Sequence, residues 1–167
     1  MISNKKIFIW LLALLLSGNN YAQTVCTGLG QNPQTAFPVC GTDTFQMLSV
    51  PICGNRLVPG PCTASMVTDK NPYWYKFTCF TAGTLGFLIK PNTFSDDYDW
   101  QLFDVTNRNP ADVYIDPTLF VSCNWSGESG NTGASAAGNL NVVCGSTGIG
   151  PPLPLFSKMP TLIQGHN

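Results

Sequence analysis

The chain has 167 residues, a tenth of them charged, and its 8 basic and 9 acidic side chains give a formal net charge of −1. A balance this even provides no basic patch, which argues against nucleic acid and anionic membrane surfaces as partners. The 16 glycines and 13 prolines instead favour a turn-rich, all-β extracellular domain.

The N-terminus has the layout of a secretory signal peptide. Lys5 and Lys6 precede an unbroken apolar run at residues 7–16, and a polar stretch then ends at Ala22. This order predicts a signal peptide at residues 1–22, cleaved before Gln23. A membrane span needs roughly 20 apolar residues, so we expect no transmembrane segment in the mature chain. We expect a protein that is secreted or held at the outer cell surface.

The mature chain, residues 23–167, has the length of one domain with a sizeable core. Within it we expect a disulfide-stapled N-terminal segment at residues 23–70 and a β-sandwich at residues 71–167.

All seven cysteines follow the predicted cleavage site, and in an exported protein most of them should be paired. No C-x-x-C spacing occurs, which argues against a zinc site or a redox motif. Sequence alone does not fix the connectivity. Short loops favour three disulfides: Cys26–Cys40, Cys53–Cys62 and Cys123–Cys144. Cys79 is then left over, and we interpret it as a buried small hydrophobe.

Alternating apolar residues predict short strands separated by glycine and proline turns. The predicted strands are residues 44–50, 65–69, 73–80, 84–90, 100–105, 118–125, 140–144 and 160–164. The strands at 73–80 and 84–90 are rich in aromatic and aliphatic residues, and we expect them to form a hairpin that turns at Gly83. The face of this hairpin that carries Tyr75 and Phe77 is expected to point into the core.

Two of the connections have a composition of their own. A short helical turn is expected at residues 110–114, and a mobile surface loop at residues 126–138, where Gly, Ser, Ala and Asn predominate without periodicity.

Two motifs carry a family resemblance: residues 71–77 read NPYWYKF and residues 97–103 read DYDWQLF. With them, the chain resembles the N-terminal domains of large surface or secreted proteins from gliding, type IX-secreting bacteria of the Bacteroidetes group. It is also similar to bacterial pre-peptidase C-terminal-type domains. The resemblance implies an antiparallel, jelly-roll-like β-sandwich at the cell surface and no enzyme activity.

The same resemblance bears on the C-terminus. In the family pattern the glycine that matches Gly165 is followed by an aromatic residue and a hydrophobic strand, which this sequence lacks. The resemblance therefore implies a fragment whose last strands are missing. It also implies further C-terminal domains of the same polypeptide, among them a gliding-motility-associated sorting domain.

The first candidate site is the acidic turn with Asp96, Asp97 and Asp99. Calcium takes six to eight hard oxygen ligands, and closely spaced carboxylates on a turn supply them. Some pre-peptidase-type relatives bind calcium, which makes a calcium site here an expectation of the resemblance. Gln101 and Leu102 do not fit an EF-hand loop. The alternative is a solvated turn whose carboxylates bind backbone N–H groups.

The second candidate site is formed by tryptophans. Trp74, Trp100 and Trp125 could stack on sugar rings, as aromatic side chains do in carbohydrate-binding modules. The alternative is that these indoles pack in the core or across strands. The pattern does not tell which rings are exposed.

No catalytic constellation is evident. His166 is the sole histidine, which argues against a Ser/His/Asp or Cys/His triad, and Asp97 with Glu128 is a carboxylate pair of a kind any protein offers. We predict a non-catalytic module for adhesion or interaction within a larger multidomain protein, with a surface glycan or protein as partner. The alternative is a calcium- or carbohydrate-binding module, accessory to a secreted hydrolase.

Overall fold

The computed structural model describes residues 25–42, 44–62, 67–145 and 151–167. The predicted signal peptide at residues 1–22 lies outside the described residues, as does the start of the strand predicted at 65–69. Within the described ranges, no helix is long and apolar enough to cross a membrane.

The described residues form short strands and three turns of 3₁₀ helix. The strands are β1 (Phe37–Pro38), β2 (Gly54–Leu57), β3 (Thr68–Lys70), β4 (Tyr75–Lys76), β5 (Gly83–Thr84), β6 (Phe87–Ile89), β7 (Trp100–Phe103), β8 (Phe120–Trp125), β9 (Thr132–Ser135), β10 (Val142–Cys144), β11 (Phe156–Lys158) and β12 (Thr161–Leu162). The 3₁₀ turns are Pro33–Thr35, Pro110–Tyr114 and Pro117–Leu119. The predicted all-β class is confirmed, and so is the predicted turn at residues 110–114.

Each 3₁₀ turn begins with a proline that follows an Asn or Asp cap. Proline has a preset φ and no N–H that would need a partner, so it suits the first position of a helical turn. The capping side chain accepts a backbone N–H two or three residues further on. The caps are Asn32 for Thr35, Asn109 for Ala111 and Asp116 for Thr118.

The described strands pair into two three-stranded sheets, β10-β8-β7 and β11-β9-β6, and three two-stranded ones, β1-β4, β12-β5 and β2-β3. The antiparallel pairs are β7–β8, β6–β9, β5–β12 and β2–β3. The remaining pairs, β1–β4, β8–β10 and β9–β11, are parallel, which the sequence pattern did not predict. The jelly-roll-like sandwich stays a prediction.

The two larger sheets are joined by buried contacts. The ring of Phe87 on β6 meets the edge of Trp100 on β7 at a centroid distance of 4.8 Å. Ser157 on β11 donates its hydroxyl to the carbonyl of Cys123 on β8 at 2.8 Å and accepts the side-chain amide of Asn124 at 3.2 Å. Buried polar groups that are paired in this way hold the sheets in one register.

The expected aromatic hairpin is wrong. β4 pairs with β1, β5 with β12, and β6 with β9, so none of these strands pairs with its neighbour in sequence. The C-terminal segment takes the backbone partners that a hairpin would need: Cys79 donates its N–H to His166 and accepts one from Gly165. Tyr75, expected in the core, is exposed, whereas Phe77 is half-buried.

The expected mobile loop at residues 126–138 is also wrong, since it contains β9, the central strand of its sheet. Thr132, Gly133 and Ala134 are buried. Their small side chains let neighbouring backbones approach: a Cβ at Gly133 would clash with the carbonyl of Phe87 on β6. The small residues that suggested a flexible loop therefore allow the strands to pack closely.

Other strand predictions have mixed outcomes. Four are confirmed, each two or three residues shorter than predicted: those at 100–105, 118–125, 140–144 and 160–164, which form β7, β8, β10 and β12. The strand predicted at 44–50 is not formed.

The predicted disulfide pairing is wrong. The structure joins Cys26 to Cys53, with a Cα–Cα distance of 5.4 Å, and Cys62 to Cys144, with a Cα–Cα distance of 5.3 Å. Short loops were a weak guide because the entropy of loop closure grows only slowly with loop length. The second bond crosses the boundary expected at residue 70.

Three cysteines are free. Cys40 and Cys123, both expected in disulfides, are an exposed and a buried thiol. Cys79 is free and buried, as predicted.

The C-terminal residues are bound between two loops. Besides the contacts of Cys79, the N–H of Val105 donates to the carbonyl of Asn167 at 2.9 Å. The N–H of Asn167 donates to the hydroxyl of Thr106, and its side-chain oxygen accepts the hydroxyl of Thr78. These bonds fix His166 beside the start of the connection that follows β7.

Candidate functional site

The acidic turn lies between β6 and β7 and leaves Asp96, Asp97 and Asp99 exposed. The N–H of Asp96 donates to the carbonyl of Thr93 at 2.9 Å, which closes the turn. The carbonyl of Asp96 accepts the N–H of Gly130 at 3.1 Å. This second bond ties the turn to the connection after β8, which carries Glu128.

Burial and neighbouring carboxylates raise the pKa values of two acids of this turn, Asp97 and Asp99. Although the Asp99 residue as a whole is exposed, its carboxyl is partly shielded from water, and this desolvation, with the charge of Asp97 as the second cause, raises its pKa to about 7. Burial and the charge of Glu128 raise the pKa of Asp97. Like charges that share a site disfavour each other's ionised form. Asp97 and Asp99 were predicted from the sequence as part of this site. The effect of Glu128 on the pKa of Asp97 was not, because it depends on a tertiary contact that no local sequence pattern indicates.

The turn lacks the arrangement of a metal centre. No group of three or more His, Cys, Asp or Glu side chains in the described ranges is placed to hold a metal ion, and this includes Asp96, Asp97 and Asp99. The raised carboxylate pKa values agree with a cluster of acids that repel one another.

The three predicted tryptophans are used for packing. Trp100 is only 8% exposed, so the prediction that it stacks on a sugar is wrong. Trp74 is half-buried between Phe103 and Tyr114, at ring distances of 6.0 and 5.8 Å. Trp125 is half-buried as well: it packs against the core cluster and donates its indole N–H to Gln101.

A different set of rings reaches the surface. We call it the four-ring cluster, and its members are Phe37, Phe45, Tyr73 and Tyr75. The parallel register of β1 and β4 sets Phe37 opposite Tyr75, with ring centroids 6.3 Å apart. Phe45 lies 5.8 Å from Phe37, and Tyr73 lies 5.0 Å from Tyr75.

The outer rings of the four-ring cluster are open to solvent: Phe45 is 42% exposed and Tyr75 is 45% exposed. Burial, and then Tyr73, raise the pKa of Tyr75, so its hydroxyl is neutral at physiological pH. The alternation of residues along the strand predicted that Tyr75 faces the core, whereas the structure exposes it. No sequence pattern indicated that Phe45 belongs to the four-ring cluster, because Phe45 lies in a segment without regular structure.

The one histidine has an acidic partner that the sequence did not reveal. His166 Nδ1 donates to Asp104 Oδ2 at 2.6 Å. Burial acts to raise the pKa of Asp104, but hydrogen bonds from His166 and Thr106 outweigh it and hold this pKa below its ordinary value. The pair borders a shallow cleft of about 430 Å³, which Arg108 and Thr118 also line.

The hydroxyls of this cleft are engaged elsewhere. Thr106 accepts the N–H of Asn167, and Thr118 donates to Asp116 at 2.6 Å. A nucleophile activated by histidine needs a hydrogen bond to the free imidazole nitrogen. Among the described hydroxyls of the cleft, neither one forms it.

A second concavity, of about 580 Å³, lies beside the Cys26–Cys53 disulfide, with Arg56 as the charged side chain on its wall. The Arg56 guanidinium is already engaged: it stacks 3.6 Å from the ring centroid of Tyr114 and lies 3.7 Å from Asp69. Asp69 is buried and also accepts the Tyr114 hydroxyl at 2.7 Å. This cluster fastens β2 and β3 to the turn at Pro110–Tyr114.

Comparison of the chain with protein-family models, with curated proteins and with solved structures finds no match.

Proposed function

We propose that the chain is a non-catalytic module of a secreted or surface-attached protein and that it binds a partner protein through the four-ring cluster. The observation that carries this proposal is the joint exposure of Phe45 and Tyr75 on top of two further rings. Exposed, contiguous aromatic surface is typical of interaction sites, because its burial in a complex is favourable.

Export and surface attachment rest on the layout of residues 1–22 and on the resemblance to type IX-secreted surface proteins. Two disulfides agree with an oxidising compartment. The same resemblance supports the proposal that the module belongs to a larger polypeptide of the Bacteroidetes group.

The non-catalytic part of the proposal is supported by the cleft at His166. Its aspartate and histidine are paired, but the hydroxyls around them bind other groups. We do not extend the proposal to calcium, because among the described residues no group of three or more His, Cys, Asp or Glu side chains is placed to hold a metal ion.

A carbohydrate is the second candidate partner, favoured by the tyrosine rings of the four-ring cluster rather than by the tryptophans. Tyr75 offers an accessible ring and a hydroxyl near the surface, the combination that stacks on a sugar and hydrogen-bonds to it.

Binding of the fluorescently labelled mature chain to intact cells of a gliding bacterium of the Bacteroidetes group tests the proposal. The Phe45→Ser and Tyr75→Ser double variant should retain at most about a tenth of the bound signal, since central aromatic contacts each contribute on the order of 2 kcal/mol to binding. Protease treatment of the cells should abolish binding if the partner is a protein. Periodate treatment should abolish it if the partner is a glycan.

Phe80→Ser is the matched control. Phe80 is 79% exposed but is not a member of the four-ring cluster, so its replacement should leave binding unchanged. Equal losses in the control and the double variant would contradict the proposal, and so would undiminished binding of a folded double variant.

A further inference from the structure

Three cysteine sulfur atoms lie close together beside β8. Cys62 and Cys144 form a disulfide, and the free thiol of Cys123 lies 3.7 Å from the Cys62 sulfur. This is close to van der Waals contact for two sulfur atoms. Cys123 is completely buried, whereas Cys144 is exposed.

The surrounding structure holds this arrangement in place. Cys123 belongs to the central strand of the sheet β10-β8-β7, and Cys144 ends the adjoining edge strand. The carbonyl of Val143 lies 3.6 Å from the Cys62 sulfur and 4.0 Å from the Cys123 sulfur. Val58 and Val67 complete the apolar cluster that contains Cys62 and Cys123.

We propose that Cys123, Cys62 and Cys144 form an internal thiol–disulfide exchange site, in which the bond of Cys62 passes between Cys144 and Cys123. Cys123 gives its proton to water, and the resulting thiolate attacks the Cys62 sulfur. The Cys62–Cys123 bond forms while the Cys62–Cys144 bond breaks. The electron pair of the broken bond stays on the Cys144 sulfur, which then takes up a proton. The number of disulfides is unchanged, so the step needs no external oxidant or reductant.

The exchange changes what the molecule presents to solvent. With the first pairing, Cys144 is blocked; with the second, an exposed thiol is available at the edge of the sheet for reaction with a thiol reagent. The covalent bond from Cys62 also moves from Cys144 on the edge strand β10 to Cys123 on the central strand β8. β10 then keeps its ladder with β8 and the packing of Val142 on the core cluster but loses its covalent bond to Cys62.

Acid–base properties make the exchange slow at neutral pH. Burial raises the pKa of the Cys123 thiol to about 11; the backbone contact with Val143 opposes this effect, and the charge of Asp99 adds to it. Tyr114 also packs against the cluster, but burial and its hydrogen bond to Asp69 raise its own pKa, so it stays neutral. Since the thiolate is the nucleophile, the exchange rate should rise about tenfold per pH unit below the pKa of Cys123.

Timed alkylation tests the proposal. The Cys40→Ser chain, which lacks the constitutively exposed thiol, is incubated under native conditions with N-ethylmaleimide at pH 7, 8 and 9. After acid quenching and unfolding, the remaining thiols are labelled with an isotopically heavy maleimide. Cleavage at Glu128 is required, because no Lys or Arg separates Cys123 from Cys144. Mass spectrometry then reports the label on each cysteine.

The expected result is that Cys144 acquires the light label about tenfold faster per pH unit, at a rate independent of protein concentration. Cys62 and Cys123 should be recovered as a disulfide in the labelled molecules. Cys123→Ser should reduce labelling of Cys144 to less than about a tenth, because the internal nucleophile is gone. Cys79→Ser, which removes the other buried thiol, should leave it unchanged.

The disulfide partner of Cys62 is also determined in the unmutated chain at each pH, so the test does not depend on whether these variants fold. A chain that shows a single pairing of Cys62 at every pH, whichever partner that is, would overturn the proposal. Labelling of Cys144 at the same rate in a folded Cys123→Ser variant would overturn it as well.

Discussion

Asp99 lies immediately before β7, next to the buried Trp100, and its carboxyl is the most strongly perturbed acid of the acidic turn. Burial, and then the charge of Asp97, raise its pKa to about 7. The pKa in the folded state thus exceeds the ordinary value of 3.8. The folded chain holds a proton that the unfolded chain loses, so stability falls as the pH rises from about 4 to about 7.

Asp99→Asn should remove this penalty. At pH 8 the variant should have a free energy of unfolding about 1 kcal/mol higher than the parent, a figure reduced for the solvent that screens this exposed side chain. At pH 4 the gain should be small, because the folded chain then keeps this proton and the unfolded chain, with an ordinary pKa of 3.8, has lost only about half of it. Urea unfolding at the two pH values measures the difference.

Asp96→Asn removes the same charge from the same turn and controls for net charge. An equal gain for Asp99→Asn at pH 4 and pH 8 would contradict the electrostatic explanation.

At this scale the sequence predicted which residues are chemically distinctive but not their exposure. Trp100 and Tyr75 both lie in strands of alternating residues, yet Trp100 is buried against Phe87 and Tyr75 faces solvent. Alternation separates two faces of a strand; it does not say which face another segment covers. The pairing of Asp104 with His166 likewise depends on a contact between residues 62 positions apart.

β9 is the element whose composition is most misleading. Its residues are small and its centre is Gly133, whose φ of 147° is a conformation that residues with side chains rarely adopt. The neighbouring carbonyl of Phe87 leaves no space for a Cβ. A strand can thus be formed by residues of low β-propensity, because close backbone approach outweighs local preference.

Gly133→Ala should therefore lower the free energy of unfolding by about 3 kcal/mol, through a backbone clash and an unfavourable φ. Gly83→Ala is the matched control: Gly83 also lies in a strand, but a Cβ there meets nothing within 4 Å. The control should change stability by no more than about 0.5 kcal/mol. Urea unfolding compares the two, and equal effects would contradict the packing argument.

Strand existence was easier to predict than strand pairing. Alternation placed β7 and β8, and the helical turn expected at residues 110–114 is formed as a 3₁₀ turn. Pairing failed for β4 and β5, because their partners, β1 and β12, are distant in sequence. A turn signal such as Ala82-Gly83 favours a hairpin only if no other segment binds the same backbone.

Over the whole molecule, the class of fold followed from composition, whereas the covalent framework did not. Many glycines and prolines, few charges and no helical periodicity predicted an all-β chain. The two disulfides, in contrast, close loops spanning 27 and 82 residues. Spacing cannot reveal such pairs, because the fold decides which cysteines meet.

The two disulfides should differ in their contributions to stability. Replacing both Cys62 and Cys144 by Ser should cost about 4.5 kcal/mol, against about 3.5 kcal/mol for Cys26 and Cys53, because the longer loop restricts the unfolded chain more. Urea unfolding of the two double variants gives the comparison. A larger loss for the Cys26 and Cys53 variant would contradict loop length as the main cause.

The bonds of the last residues have a practical consequence for anyone who produces this protein. Gly165 and His166 are bonded to the backbone of Cys79, and Asn167 to that of Val105. Deleting residues 165–167 would leave the backbone groups of Cys79 and Val105 without these partners. A shortened chain made for expression should therefore keep these three residues.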